Sequence, residues 1–447
     1  MPTDPAPPAR ELVRLLRDEI ARTGAMPWAR FMELALYQPE HGYYERATQN
    51  IGRRGDFFTS VSVGPLFGEL LASQFAEWLD ELPPPPAGGA LQLVEAGAHN
   101  GQLAHDVLTW FQRERPAQFS ALEYCLLEPS PRRQAWQAET LRAFAGKVRW
   151  FRGWEEISAA GVDPHGEAGG AHAPPRVVFR ALAENRGGAD ACEDSATSGR
   201  APRLDARAQP ATREGACAPP AAAAGIHGII FSNELLDAFP IRRLGWNAAA
   251  AMWFEWAVRC DGDAFAWTRL PLTDNPSDLF HPLTLTPELT AVLPDGFTTE
   301  VSPAAVAWWR QAAGALRCGK LLTLDYGLSA LDFFTPGRAH GTLRTYAQHR
   351  STTDLLANPG HQDLTAHVNF SALQTAGESA GLRTESLSTQ SRFLTAIATR
   401  LWTATAPPTD PAVLRQFQTL THPDHLGRSF SVLLQSRRPP FARESEA

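Results

Sequence analysis

Short apolar runs alternate with segments of helical periodicity through the middle of the chain. The runs predict five strands, at 91–98, 123–129, 148–151, the start of 228–240, and 320–327. Helical spacing predicts helices at 103–111, 131–144 and 303–316, between or before these runs. Apolar runs that alternate with helices are typical of β-α units around a mainly parallel sheet. We therefore expect an α/β fold with a doubly wound, mostly parallel sheet.

The two ends of the chain have different patterns. Apolar residues from Leu12 to Ile20 recur at helical spacing and predict an opening helix. Residues 28–68 mix aromatic residues with Gly, Pro and charges, which predicts an irregular segment. A helix is expected at 67–79, ended by the prolines at 83–86. Two late strand candidates, 384–394 and 429–437, could form an antiparallel hairpin at the sheet edge.

Residues 161–225 interrupt the alternation. They are rich in Ala, Gly and Pro and poor in large apolar residues, so they bury too little surface to offset the entropy of ordering. We predict a disordered insert there. The expected division is a helical and lid-like segment at 1–88, two halves of one α/β domain at 89–160 and 226–440, and this insert between them.

Charge and cysteine content limit the partners, metal sites and cellular compartment that we expect for this protein. The 41 basic and 48 acidic residues give a net charge of −7, which disfavours nucleic acid as a partner. Five scattered cysteines without a C-x-x-C pair fit a reducing compartment and predict no metal site. The N-terminus lacks a signal-peptide pattern and no apolar run could span a bilayer, so a soluble cytoplasmic protein without membrane insertion is expected.

The turn after the first predicted strand is the most informative feature. It runs from Glu95 through Gly97 to Gly101 and into a helix, as in sites that hold nucleotide-type ligands at a helix N-terminus. Glu128 ends the second predicted strand, where a carboxylate commonly accepts hydrogen bonds from a ribose diol. An ordinary glycine-rich turn and a solvated carboxylate are the alternatives. Together these residues favour a nucleoside-type site.

The fourth predicted strand ends in a second polar group. Asn233 and Glu234 follow it and would face the same crevice, because ligands in open parallel sheets lie beyond the carboxyl ends of the strands. A carboxylate there could orient a cationic substrate. Asp237 could instead cap a helix, and Asp325 after the fifth strand could belong to a turn. No G-x-S-x-G nucleophile motif occurs, so hydrolase chemistry has little support.

The order of several segments resembles the MidA-like family of S-adenosylmethionine-dependent methyltransferases. The family includes a mitochondrial assembly factor that methylates an arginine on a subunit of respiratory complex I. The resemblance runs from about Phe31 to Gln435, without the insert. The segments that carry it are LYQPEHGYY at 36–44, GDFFTS at 55–60, PLFGE at 65–69, NELLDAFP at 233–240, DYG at 325–327 and DLTAHV at 363–368.

The resemblance implies the seven-stranded Rossmann-like methyltransferase sheet, S-adenosylmethionine as cofactor and a protein arginine as acceptor. It implies that the Gly55–Ser60 segment folds over the site, that Glu128 takes the ribose hydroxyls, and that Asn233 and Glu234 lie near the transferred methyl. The implied cofactor-binding residues are Glu95, Gly97, Ala98, Gly101, Glu128 and Thr59. The implied catalytic residues are Asn233, Glu234 and Asp237, and Glu234 is expected to grip the guanidinium.

Two departures from the family pattern keep other functions open. His99 stands where the cofactor loop usually has a glycine, and Ser62 stands where the family tends to have a glutamate. These favour, as an alternative, an assembly or binding protein that keeps the fold without the chemistry. A methyltransferase with a small-molecule acceptor is another alternative. A nicotinamide-dependent oxidoreductase would share the glycine-rich turn but not its usual spacing.

Overall fold

A computed structural model describes residues 7–46, 59–85, 89–160, 225–347, 350–352 and 354–438. The predicted disordered insert at 161–225 lies outside these residues, apart from Gly225. Most of the predicted lid segment, residues 55–58, also lies outside them.

Helices and strands alternate along the described chain. The α-helices are α1 (Pro7–Thr23), α2 (Trp28–Tyr37), α3 (Leu66–Asp80), α4 (Gln102–Glu114), α5 (Pro116–Ala121), α6 (Pro131–Thr140), α7 (Trp154–Ala160), α8 (Pro276–Leu279), α9 (Pro287–Ala291), α10 (Pro303–Ala315), α11 (Phe370–Ser379), α12 (Gln390–Thr405) and α13 (Pro411–Thr421). The strands are β1 (Met26–Pro27), β2 (Leu91–Ala96), β3 (Leu122–Leu127), β4 (Val148–Phe151), β5 (Ile226–Asn233), β6 (Arg242–Asn247), β7 (Met252–Asp261), β8 (Ala264–Pro271), β9 (Thr298–Val301), β10 (Leu316–Leu328), β11 (Arg344–Ala347), β12 (Arg350–Thr352), β13 (Asp363–Thr365), β14 (Val368–Asn369), β15 (Arg383–Thr389) and β16 (Phe430–Arg437). Within the described residues, no helix is long and apolar enough to cross a membrane.

The main sheet confirms the predicted doubly wound, mostly parallel α/β fold. Its strand order is β15-β16-β10-β5-β2-β3-β4, and the short β14 pairs with β10. The five strands from β10 to β4 are mutually parallel. Strand β16 lies antiparallel between β10 and β15. Because the chain crosses between strands through helices, both faces of the sheet are covered, which explains the continuous apolar runs of the sequence.

The core has two layers, one on each face of this sheet. Successive side chains of a strand point to opposite faces. Leu93 of β2 therefore packs with α3 and α4. Its neighbour Val94 packs with α10 and α11, together with Ile230 of β5 and Trp309. These layers hold the carboxyl ends of β2, β3, β4 and β5 side by side, where the site lies.

A second sheet was not predicted from the sequence, and most of its strands lie between β5 and β10 in the chain. Its order is β1-β7-β6-β9, and β8 extends it beyond β7. Helix α2 packs on it, with the Trp28 ring 4.9 Å from that of Trp267 and the Phe31 ring 5.5 Å from that of Phe265. The expectation of an irregular segment over all of 28–68 is therefore wrong at its start. Helical spacing of the buried apolar residues in 28–37 was the signal for α2.

The two late strands pair antiparallel, but they do not form a hairpin. Helices α12 and α13 lie between β15 and β16 in the chain. The predicted strand at 384–394 is too long, because its second half is the start of α12. The Thr389 Oγ1 accepts a hydrogen bond from the Arg392 backbone N (3.3 Å), and a threonine N-cap of this kind ends the strand and begins the helix.

Candidate functional site

A cavity of about 300 Å³ lies beyond the carboxyl ends of the central strands. Open α/β sheets bind ligands at this edge. Its lining residues come from α2 and the 3-10 helix after it, the ends of β2, β3 and β4, the starts of α6 and α7, the turn after β5, and α10. They are Tyr37, Glu45, Ala96, Gly97, Leu127, Glu128, Pro129, Arg133, Arg152, Gly153, Trp154, Glu155, Leu235, Phe239, Pro303, Ala304, Ala307, Trp308 and Gln311.

The turn after β2 requires left-handed backbone at two glycines. Gly97 lines the cavity with φ +75°, and a Cβ built on it would lie 2.7 Å from the Leu235 Cδ1. Gly101 has φ +85° and packs behind the cavity, where an added Cβ would lie 3.3 Å from the Gln137 Cα. Both positions favour glycine, because other residues adopt this φ at a cost. Ala98 between them is buried.

His99 stands where the resemblance implies a glycine, and its φ of +47° keeps left-handed backbone in the turn. Its carbonyl accepts a hydrogen bond from the Gln137 Nε2 (3.1 Å), which fastens the turn to α6. Burial and the nearby Arg133 lower the pKa of His99 to about 4. The ring is therefore neutral at physiological pH, and the loop carries no extra positive charge.

Glu128 presents a buried carboxylate at the end of β3, and it also lines the cavity. The Oε1 accepts from the Ser130 backbone N (3.0 Å), and the Oε2 accepts from the Gln137 Nε2 (3.1 Å). The Arg133 Nη1 lies 3.9 Å from the Oε2. Burial raises the pKa of Glu128, and Arg133 opposes the shift. Gln137 thus bonds to both the glycine turn and Glu128.

Glu95 lies behind this turn and is also buried. The Tyr124 hydroxyl donates to its Oε2 at 2.6 Å. Burial raises the pKa of Glu95 to about 7, and the Tyr124 hydrogen bond opposes the shift. Its carboxyl group is therefore partly protonated near neutral pH.

This raised pKa predicts how stability depends on pH. The folded protein holds the Glu95 proton more tightly than the unfolded chain does, so this group loses stabilisation as pH rises through about 7. We expect Glu95→Gln to raise the free energy of unfolding by about 2 kcal/mol more at pH 8.5 than at pH 5.5. Urea titrations of both proteins at the two pH values measure this difference. Glu123→Gln on the neighbouring strand β3 is the control, and an equal difference in both variants would contradict the assignment.

Glu234 follows β5 with an unusual backbone, at φ +50°. Its Oε1 accepts hydrogen bonds from the Ser60 backbone N and from the Asn233 Nδ2, both at 3.1 Å. Burial raises the pKa of Glu234 to about 8, and Asp325 adds to the shift. A non-glycine residue held at positive φ marks a candidate functional position. Leu235 lines the described cavity, whereas Asn233, Glu234 and Asp237 are not among its lining residues.

Two further carboxylates, Asp325 and Asp237, lie at the turn that follows β5. Asp325 of β10 accepts from the backbone N of Leu235 (3.2 Å) and Leu236 (2.8 Å) and fixes the turn in place. Asp237 is buried next to Asp325 and Glu234, and burial raises its pKa well above the usual range. Within the described residues, none of these three carboxylates forms an ion pair. The cluster is therefore suited to a cationic group from outside the chain.

Thr59 and Ser62 close a short turn that touches Glu234. The Thr59 backbone N donates to the Ser62 Oγ (2.9 Å), and the Ser62 backbone N donates to the Thr59 Oγ1 (3.1 Å). Ser62, where the resemblance implies a glutamate, thus takes a local structural role. Thr59 is not among the residues lining the described cavity, and its neighbour Ser60 makes the contact with Glu234.

Several residues that line the cavity were not predicted from the sequence. Arg133 stacks its guanidinium 4.9 Å from the centre of the Tyr44 ring, and its Nη2 has no hydrogen-bond partner among the described residues. Residues 152–155 follow β4, and this position after the third predicted strand could have identified them. Tyr37 and Trp308 come from distant helices, and no local motif marks them.

A family model described as "Putative S-adenosyl-L-methionine-dependent methyltransferase" matches residues 70–164 and 216–388. These segments make up more than half of the 447 residues.

Curated relatives and a solved structure match over most of the chain. The Drosophila melanogaster protein named protein arginine methyltransferase NDUFAF7 homolog, mitochondrial, is 26% identical over 83% of this chain and 70% of its own length. The Xenopus tropicalis protein arginine methyltransferase NDUFAF7, mitochondrial, is 26% identical over 97% of this chain and 89% of its own. A Burkholderia thailandensis protein crystallised with S-adenosyl-homocysteine has 28% identity and a TM-score of 0.70, covering 97% of this chain and 95% of its own.

The predicted cytoplasmic location is wrong by this comparison. The curated relatives from fly, frog, fish and mammals are all named as mitochondrial proteins. The prediction came from the lack of a signal-peptide pattern, which does not distinguish one internal compartment from another.

Proposed function

The chain belongs to the family of S-adenosyl-L-methionine-dependent methyltransferases that this model describes, and we propose that it methylates an arginine side chain of a protein. The resemblance stated from the sequence is confirmed at the level of family, fold, cofactor and methyltransferase class. The acceptor and the roles of individual residues are part of the proposal.

The residues of the cavity fit the cofactor. Gly97 leaves room that a side chain would fill, Glu128 offers a buried carboxylate to a ribose diol, and Arg133 offers an unsatisfied N–H. We propose that Gly97 and Glu128 contact the cofactor directly. Glu95, Ala98 and Gly101 would support the turn from behind, and Thr59 would act through its neighbour Ser60.

The bound cofactor supplies an activated methyl group on a sulfonium, so the protein mainly aligns the acceptor and stabilises charge. Glu234 and Asp237 are proposed to hold the acceptor cation by charge-assisted hydrogen bonds. The Asn233 Nδ2 and the Ser60 backbone N keep the Glu234 carboxylate oriented.

The observation that carries the arginine proposal is a group of three carboxylates that form no ion pair in the described residues. Asp237 and Asp325 are buried, and Glu234 is half-buried. Guanidinium is planar and bonds carboxylates in a bidentate manner, so it suits such a group. The curated relatives named as protein arginine methyltransferases support the same acceptor. A respiratory complex I subunit as partner, and the chain division at 88, 160 and 225, stay predictions.

Transfer of a labelled methyl group tests the proposed function. The purified protein is incubated with S-adenosylmethionine carrying a tritiated methyl group and a heat-treated cell extract as the acceptor mixture. Acid hydrolysis and amino-acid analysis then identify the methylated residue. We expect labelled methylarginine, and none in the absence of the protein.

Two other outcomes point to the alternatives. Label on agmatine or another small amine, with none on protein, would favour a small-molecule acceptor. Calorimetric binding of S-adenosylhomocysteine without transfer to any acceptor would favour a protein that has kept the fold and lost the chemistry.

A further inference from the structure

A buried chain of hydrogen bonds connects Glu234 to the helices between β15 and β16. The Ser60 backbone N donates to the Glu234 Oε1 at 3.1 Å. The Ser60 Oγ donates to the Gln390 Oε1 at 3.2 Å, and the Gln390 Nε2 donates to the Leu420 carbonyl at 3.1 Å. The side chains of Ser60 and Gln390 are both completely buried. The path therefore runs from the turn after β5 through Ser60 to α12 and α13.

We infer that Gln390 is a positioning residue for methyl transfer, which holds Glu234 in place through Ser60. This inference rests on the proposed function, because it assumes that Glu234 binds the acceptor. Ser60 and Gln390 both lie outside the segments 70–164 and 216–388 that the family model matches.

The turn at Ser60 depends on contacts from these helices. It continues into a short 3-10 helix, Val61–Val63, and then Gly64. Gln416 of α13 accepts a hydrogen bond from the Leu66 backbone N (3.2 Å), and a Cβ at Gly64 would lie 2.4 Å from the Gln416 Oε1. Gln390 and Gln416 thus fasten the turn on both sides of the 3-10 helix, and the Ser60 backbone N is held toward the carboxylate.

The Ser60 contact matters because both hydrogen-bond donors to the Glu234 carboxylate act on the same oxygen. The Ser60 and Asn233 hydrogen bonds, among the described residues, both go to the Oε1. Under the proposed function, the Oε2, which accepts no hydrogen bond from the described residues, would bond to the acceptor cation. Losing the Ser60 contact would free the carboxylate to rotate and would remove a hydrogen bond that favours its ionised form. Asp325 and Asp237 are the titratable groups that face Glu234.

Two matched substitutions distinguish a positioning role of Gln390 from a general loss of protein stability. Gln390→Leu removes the link, and Gln435→Leu removes an equally buried glutamine on β16. Gln435 accepts from the Trp309 Nε1 (2.8 Å) and donates to the Gln374 carbonyl (2.9 Å), away from Glu234. Both variants are expected to lower the Tm. Only Gln390→Leu should lower kcat/KM for the arginine acceptor, by about 5–10-fold, the worth of one buried hydrogen bond.

The pH profile of kcat/KM and a double mutant distinguish a positioning role of Gln390 from a purely structural one. In Gln390→Leu the acidic limb of kcat/KM should move to higher pH, and affinity for S-adenosylhomocysteine should stay within about twofold of the wild type. Ser60→Ala keeps the backbone N–H but loses the bond to Gln390. Its effect and that of Gln390→Leu should not add in the double variant, because both break the same path.

Amide hydrogen exchange of residues 59–66 tests the connection between Gln390 and Ser60 without an activity measurement. Each variant is measured at a temperature the same number of degrees below its own Tm. Under these conditions we expect faster exchange in Gln390→Leu than in Gln435→Leu. Equal exchange and equal pH profiles in the two variants would overturn the inference. If the wild type methylates no arginine, the proposed function fails. The exchange comparison then decides alone whether Gln390 holds Ser60.

Discussion

Glu234→Gln is expected to lower kcat/KM for the arginine acceptor by about 10²–10³-fold. The substitution keeps the shape of the side chain and an oxygen that can accept from the Ser60 backbone N. It removes the negative charge that would meet the guanidinium, and charge-assisted bonds are about twice as strong as neutral ones. Initial rates of methylarginine formation at limiting acceptor measure the loss. Calorimetry should show that the affinity for S-adenosylhomocysteine is unchanged.

The pH dependence of kcat/KM is a second measurement that tests the proposed role of Glu234. The ionised carboxylate binds the cation, and the pKa of Glu234 is about 8, so kcat/KM should rise with pH through that value. The rise should be absent in Glu234→Gln. Glu300→Gln is the control, because Glu300 is also a buried carboxylate with a raised pKa and accepts from the Thr342 backbone N (2.8 Å). Equal losses in both variants would remove Glu234 from the acceptor site.

The main sheet could be predicted because its strands are buried on both faces. Each gives a continuous apolar run, and each is followed or preceded by a helical pattern. The second sheet was missed because its strands carry no comparable signal. In β8, for example, Trp267 is half-buried between Trp28 and Trp256, a packing that depends on distant parts of the chain.

The candidate site could be predicted only where its residues follow a predicted strand. Gly97, Glu128 and Glu234 each come directly after β2, β3 or β5, so the rule that parallel strands end at one edge brings them together. Gln137, Ser60 and Gln390 support them by long-range hydrogen bonds from elements that only the fold brings near. No spacing in the sequence marks such contacts.

Glu128→Ala is expected to weaken binding of S-adenosylmethionine by about 100-fold. A carboxylate that accepts from both hydroxyls of a ribose makes two charge-assisted hydrogen bonds, and each is worth about 1.5–3 kcal/mol. A tenfold change in affinity corresponds to about 1.4 kcal/mol, so the loss of even one such bond exceeds tenfold. Titration calorimetry with S-adenosylmethionine and S-adenosylhomocysteine measures both affinities.

Two companion variants make the result specific. Glu128→Gln should give an intermediate loss, because an amide oxygen still accepts one hydrogen bond while the charge is gone. Glu123→Ala, within β3 itself, removes a carboxylate that pairs with Arg149 at 2.6 Å and should leave cofactor affinity unchanged. If Glu128→Ala binds the cofactor as tightly as the wild type in a folded sample, Glu128 does not hold the ribose. The buried carboxylate would then act only to fasten the Ser130 backbone and Gln137, and its removal should show mainly as a lower Tm.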